Sequence, residues 1–278
     1  AYHRTYGSID PRWPGRVHLG LRVRSLASTS YTRTPIFATE WTGTDGVSPL
    51  VYYIAGVRVM LLQNGALSQV GSDFAANATG GMFDDNGSGV PYLYACFSGL
   101  AADALYIRRM ARDQTFSTSA DVVAHRLLSL NGRAYRTLTP TGGTVNCQVS
   151  VCPPGSDRFL AASWGTGQTV GLAGTEINAL VGIRQSPASI KPEGIYAYSD
   201  GLDRWVNYAP FGDHHPDNGK GAYSMGDYIV VPMGSGGAVL FDGFTARAAD
   251  PITINSSPGL HTTPNTIQAL GQTQQWLV

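Results

Sequence analysis

The sequence predicts an all-β protein made of repeated four-stranded antiparallel blades, a β-propeller, with a β-sandwich as the alternative. Three observations predict it. First, the composition suits short strands and tight turns: 34 Gly and 16 Pro, but only 2 Lys and 3 Glu to fill exposed helix faces. Second, one signature recurs four times, an apolar run, then Asn-Gly or Asp-Gly, then a short second strand. It reads VMLLQNGALSQV at 59–70, RLLSLNGRAYRTL at 126–138, IYAYSDGLDRWVN at 195–207 and AVLFDGFTARA at 238–248. Asn-Gly and Asp-Gly supply the positive φ values of a two-residue hairpin turn. Third, two further strand-like runs precede each hairpin, which is the plan of a propeller blade.

In order along the chain, residues 1–35 are rich in Arg and Pro and read as an N-terminal arm or closing strand. Residues 36–278 read as the repeat domain, with blades expected at 36–71, 90–139, 144–209 and 219–250 and another beginning at 266–278. The turn glycines Gly65, Gly132, Gly201 and Gly243 lie 67, 69 and 42 residues apart. A minimal blade takes roughly 40–45 residues, so the first two intervals call for insertions. The stretches 112–124 and 165–177 are the natural places, and 112–125 is the window that could hold a turn or two of helix. The final TQQWLV reads as part of a strand and predicts a polypeptide that continues.

The charge balance is 19 basic to 19 acidic residues, so no global basic field exists to hold a polyanion. No nucleic-acid partner is expected. No run of about 18 apolar residues is present to predict a membrane-spanning helix. Cys96, Cys147 and Cys152 lack the spacing and companions of a zinc site and read as buried thiols, with a Cys147–Cys152 disulfide as the other option.

Several clusters could carry chemistry. GDHHPDNGKG at 212–221 places His214, His215 and Asp217 together as candidate metal ligands, against an exposed turn as the plain reading. DDNGSG at 84–89 aligns Asp84, Asn86 and Ser88 like the first half of a calcium loop, although Tyr92 and Ala95 fall where later ligands belong. Calcium is therefore the one cofactor considered. A glycosidase would need two facing carboxylates. Glu40, Glu176 and Glu193 are the only glutamates, and Glu40 is the best single candidate. The run Ser199 to Trp205 approaches a sialidase box but has the wrong spacing. No catalytic set is assigned. Tyr196, Tyr198 and Trp205 are candidate binding aromatics, since Tyr and Trp on a rigid sheet suit glycan or protein contact.

Residues 192–243 carry, in order, the strand GIYAYS, a turn, Trp205, the loop DNGKG and the hairpin AVLFDG. This order resembles blades in large proteins of tailed bacteriophages. The resemblance implies a virion component, such as a tail, fibre or capsid-associated protein, and carries over no catalytic residue. The expected function is a non-enzymatic structural or adhesive role. It would act within a larger assembly through other virion subunits or a host surface receptor or glycan, in a virion or extracellular setting. The alternative is a secreted carbohydrate-binding or carbohydrate-active propeller. A bacterial surface repeat domain is a third reading.

Overall fold

The computed structural model describes residues 35–42, 49–63, 66–85, 89–97, 106–199, 201–225 and 227–248, with two short strands at 8–9 and 17–18. Strand β1 (Ser8–Ile9) pairs with β2 (Val17–His18) in a small ribbon. Five four-stranded antiparallel sheets follow, each meandering in chain order, and together they make a β-propeller. The first blade is β3 (Pro35–Thr42), β4 (Pro49–Ala55), β5 (Arg58–Gln63) and β6 (Ala66–Val70). The second is β7 (Gly80–Asp84), β8 (Tyr92–Cys96), β9 (Tyr106–Met110) and β10 (Phe116–Val123). The third is β11 (Leu127–Leu130), β12 (Arg133–Leu138), β13 (Gln148–Cys152) and β14 (Gln168–Thr169). The fourth is β15 (Ala179–Ile183), β16 (Ser186–Lys191), β17 (Gly194–Ser199) and β18 (Arg204–Pro210). The fifth is β19 (Tyr223–Met225), β20 (Tyr228–Pro232), β21 (Ala238–Phe241) and β22 (Ala246–Ala248).

The first strands of successive blades, β3, β7, β11, β15 and β19, neighbour one another and surround a common axis. Up-and-down strands put alternate connections at opposite ends. The end where every innermost strand begins, here the entry end, carries the links between blades and the turns between second and third strands.

Blade boundaries differ from the expected 90–139 and 144–209, and the reason lies in the hairpins. Gly201 and Gly243 join third and fourth strands, as does the segment 64–65. Asn131-Gly132 instead joins β11 to β12, the first and second strands of the third blade. Both residues have positive φ, 54° and 71°, as a type I′ turn demands. The interval from Gly65 to Gly132 therefore spans a whole blade rather than an insertion. The window 112–125 is not helical either. It holds β10, paired with β9 through Phe116↔Met110. Its polar stretch STSAD reflects an outermost strand with one open face. Among the described residues the helical content is one 3-10 turn, Ala161–Ser163. The expected start of a blade at 266–278, and most of the arm at 1–35, lie outside the described residues.

The core is a stack of layers between blades. Strand β8 shows how: Leu93, Ala95 and the adjoining Phe97 pack with Trp41, Tyr52 and Ile54 of the first blade. Tyr94 and Cys96, on the opposite face, pack with Leu127, Ala134 and Cys152 of the third. Residues alternate between faces along a strand, so a strand buried on both sides reads as a continuous apolar run. That is why YLYACF contains no polar break other than its tyrosine hydroxyls. Two further layers, around Tyr135 and Leu180 and around Ile190 and Phe241, join blades three to four and four to five. The three cysteines are free buried thiols. Cys147 belongs near the end of β13 and Cys152 at its other end, too far apart along one strand to bond.

Candidate functional site at the entry end

The segments that lead into the innermost strands carry polar residues at their last positions: Thr79, His125 and Arg126, Glu176 and Asn178, then Asn218 and Lys220. Each reaches to the next. Thr79 Oγ1 donates to the carbonyl of His125 at 2.6 Å, and the Arg126 guanidinium donates back to the carbonyl of Thr79. His125 Nε2 lies 2.7 Å from Glu176 Oε1. Asn178 Nδ2 donates to the carbonyls of Pro216 and Asn218 at 2.9 and 2.7 Å. The result is a polar belt around the axis. The hydrogen bond from His125 holds the Glu176 carboxyl below its ordinary value, and the charges of His125, Arg126 and Lys220 act in the same direction against its burial. Burial lowers the pKa of Arg126.

Asn218 is the keystone of this end. It is fully buried. Its Nδ2 donates to the carbonyls of Pro192 (3.0 Å) and Asp213 (2.7 Å), and its Oδ1 accepts from the Gly234 amide at 2.9 Å. One side chain thus ties the loop 211–222 to turns of blades four and five. Asn218→Ala leaves those backbone groups unpaired, and a loss of about 2–4 kcal/mol in urea unfolding is expected. A loss under about 1 kcal/mol would show that the loop is not held this way.

The sequence candidates are distributed as follows. His214 is exposed. His215 Nδ1 accepts from the Asp217 amide at 3.2 Å and its ring packs on Gly234, where an added Cβ would sit 1.9 Å from it. Asp217 Oδ1 accepts from Lys220 Nζ at 2.6 Å. These contacts build a turn, and among the described residues no three His, Cys, Asp or Glu side chains converge on a metal position. Asp84 points into the layer between blades two and three, where its oxygens accept from Arg158 Nε (2.9 Å) and Ser129 Oγ (2.6 Å). Asn86 and Ser88 lie outside the described residues. Glu40 is exposed on β3, the innermost strand of the first blade. Glu193 is buried beside Lys191, so the glutamates do not form a facing pair with it.

Of the candidate aromatics, Tyr196 is buried, its hydroxyl donating to Glu193 Oε1 at 3.4 Å. Tyr198 and Trp205 are half-buried and meet edge to face, centroids 5.7 Å apart, where β17 pairs with the outermost strand β18. The Tyr198 hydroxyl donates to Asp203. Strand β18 carries a bulge at Tyr208, because Ile195 faces Ala209 while Tyr196 faces Asn207. The bulge twists a free edge away from pairing and turns Tyr208 outward.

Sequence reasoning passed over His125, Arg158 and Lys191, which the structure makes central. A signal existed for one of them. In a chain with two lysines, neither serves as ordinary surface charge: Lys191 is fully buried and Lys220 stands at the entry end.

No family model and no curated protein matches the chain. Solved structures share the fold. The extracellular domain of BT4673 from B. thetaiotaomicron is 9% identical over 78% of this chain, with a TM-score of 0.52, and the chain spans 28% of its length. BBS1N, solved in complex with ARL6DN, is 10% identical over 78% of this chain and 70% of its own, TM-score 0.52. An auxiliary nutrient binding protein from Bacteroides thetaiotaomicron is 9% identical over 77% of this chain and 56% of its own, TM-score 0.50. Identities this low establish the shared propeller fold and nothing finer.

Proposed function

We propose that this chain is a non-enzymatic contact scaffold, a structural or adhesive component of a virus particle. One observation carries the contact role. The buried charges Asp84, Arg158, Lys191 and Glu193 all close onto partners that lock blades and loops together. Aromatic and aliphatic side chains, in contrast, stand outward: on blades four and five Leu202, Tyr208 and Phe244 are exposed, Leu202 in the turn between Tyr198 and Trp205, and Val90, Tyr106, Leu160 and Leu172 are exposed elsewhere. A rigid body with apolar groups at its edge and turns suits recognition of another surface. The virion setting is supported by the motif order at 192–243 and by the scarcity of Lys and Glu.

The test is a double variant, Trp205→Ala with Phe244→Ala, made in the encoding organism. Mass spectrometry of gradient-purified particles should find the wild-type chain in them and the folded variant depleted at least about tenfold, the scale of losing aromatic anchors at an interface. Particles that lack the wild-type chain would sink the virion assignment. Full incorporation of the variant would sink this contact surface. The Tyr198–Trp205 pair also favours a second reading, a carbohydrate-binding propeller. Binding on a glycan array that Trp205→Ala abolishes would select it.

A further inference from the structure

The five blades are joined in series. Apolar layers lie between blades one and two, two and three, three and four, and four and five, and among the described residues no layer joins blade five to blade one. Blades one and five therefore each turn one sheet face away from their neighbour. Register shows what those faces carry. On blade one, Val51 stands opposite Leu62 and Met60 shares its face, back to back with Val59 and Leu61 of the layer toward blade two. On blade five, Tyr223, Val230 and Leu240 are cross-strand neighbours, back to back with Ile229 and Phe241 of the layer toward blade four. Met60 is 6% exposed and Tyr223 5%, although neither belongs to any of the four layers. The Tyr223 hydroxyl is buried and has no hydrogen-bond partner among the described residues. Apolar faces of this kind mark a place where something docks, and a buried hydroxyl calls for a partner on whatever covers it.

Connectivity identifies the occupant. In each of the five blades the third and fourth strands are an antiparallel pair, and from each of the first four the fourth strand leads into the innermost strand of the next. Strands β1 and β2 are also an antiparallel pair, and β2 leads into β3, the innermost strand of blade one. The ribbon thus stands in the chain where the outer half of a blade preceding blade one belongs. Its inner half has to come from residues that follow β22. The sequence at 266–278 supplies two strand-length runs, TIQALG and QQWLV, on either side of Gln272 and Thr273. Ile267, Leu270, Trp276 and Leu277 give them apolar side chains for both faces, as strands held between two blades require. Residues 19–34 suffice to link β2 to β3, as residues 211–222 link β18 to β19. A second copy laid on the same faces would leave the β1–β2 ribbon without inner strands.

We propose that residues 266–278 dock between blades five and one as the two inner strands of a sixth blade, whose outer strands are β1 and β2. The ring closes within one chain, and the partner of both apolar faces is the chain itself. The docked strands cover Met60 and Tyr223 and offer the Tyr223 hydroxyl its partner. The Tyr198–Trp205 edge plays no part in this closure, so failure of the closure would leave the contact surface untouched. The experiment is amide hydrogen exchange by mass spectrometry on the full chain, with light scattering for its mass. A monomer is expected, with amides in 266–278 slowed by at least about a hundredfold relative to an unstructured peptide. Trp276→Asp puts a charge in the docking run and alters none of the five blades. It should speed exchange at least about tenfold in 266–278 and in β1 and β2, while β8 stays slow. Leu240→Asp, on the outer face of blade five, should do the same from the other side, and it serves if Trp276→Asp does not fold. Rapid exchange of 266–278 in the wild-type monomer would overturn the proposal. So would protection that appears only in a dimer, which would assign the two faces to a second copy. Protection unchanged by both folded variants would place these residues elsewhere and overturn it equally.

Discussion

Arg158→Met is expected to lower the unfolding free energy by about 3–5 kcal/mol, because it strands a buried carboxylate. Arg158 is fully buried and Asp84 nearly so. The guanidinium spends its donors across blades two and three: Nε on Asp84, one terminal nitrogen on the carbonyls of Pro153 (2.8 Å) and Ser156 (2.6 Å), the other on Gly132 (2.6 Å). Its own carbonyl accepts from Trp164 Nε1 at 3.1 Å. Methionine fills much of the volume but leaves Asp84 with Ser129, and three carbonyls with none of these bonds. In thermal melts a domain of this size loses about 2–4 °C per kcal/mol, so Tm should drop by roughly 10 °C. The double variant Asp84→Leu with Arg158→Met removes both charges and should recover a large part of the loss. A single-variant loss below about 1 kcal/mol would mean that the pair is solvated.

Lys191→Met should cost a similar amount, about 3–5 kcal/mol, with a local signature. Lys191 Nζ donates to the Val170 carbonyl at 2.6 Å and to that of Leu172, and lies 3.3 Å from Glu193 Oε1. Glu193 in turn accepts from the Thr175 hydroxyl at 2.8 Å and the Leu172 amide at 3.2 Å. The pair therefore pins the link between blades three and four. Loss of Lys191 should speed amide exchange in 170–175 well before it affects β8, whose opening tracks global unfolding. Unchanged exchange there would refute the clamp. The acid limb follows from Glu193. Burial pushes its pKa up, but hydrogen bonds from Thr175 and Leu172 and the charge of Lys191 outweigh that, and the folded value ends below the ordinary 4.5. Glu193 thus stabilises the fold fully above about pH 4.5, and the contribution fades as pH falls through the lower folded value. Glu193→Gln should flatten that limb of a stability-versus-pH curve.

The fold was legible because hairpin chemistry is local. Asn131-Gly132 announces a type I′ turn from two residues alone, and YLYACF announces a strand buried on both faces. Blade boundaries were not legible, since the same kind of Asn-Gly or Asp-Gly pair marks a two-residue inner hairpin in blade three and longer outer turns, between Ser199 and Arg204 and between Phe241 and Ala246, in blades four and five. Only the pairing partner distinguishes them. The site was less legible still. Arg158 meets Asp84 across 74 residues and His125 meets Glu176 across 51, and no spacing rule connects such pairs. The local cluster His214, His215 and Asp217 drew attention because its members are adjacent, yet it folds into a turn. By itself the sequence determined the strand chemistry, the type I′ turn at Asn131-Gly132 and the all-β class, which depend on neighbours in the chain, whereas the Asp-Gly turns after β17 and β21 are four residues long rather than the two expected. Tertiary structure alone decided which polar groups became buried and who partners them, because burial and pairing arise only when separate blades close on one another.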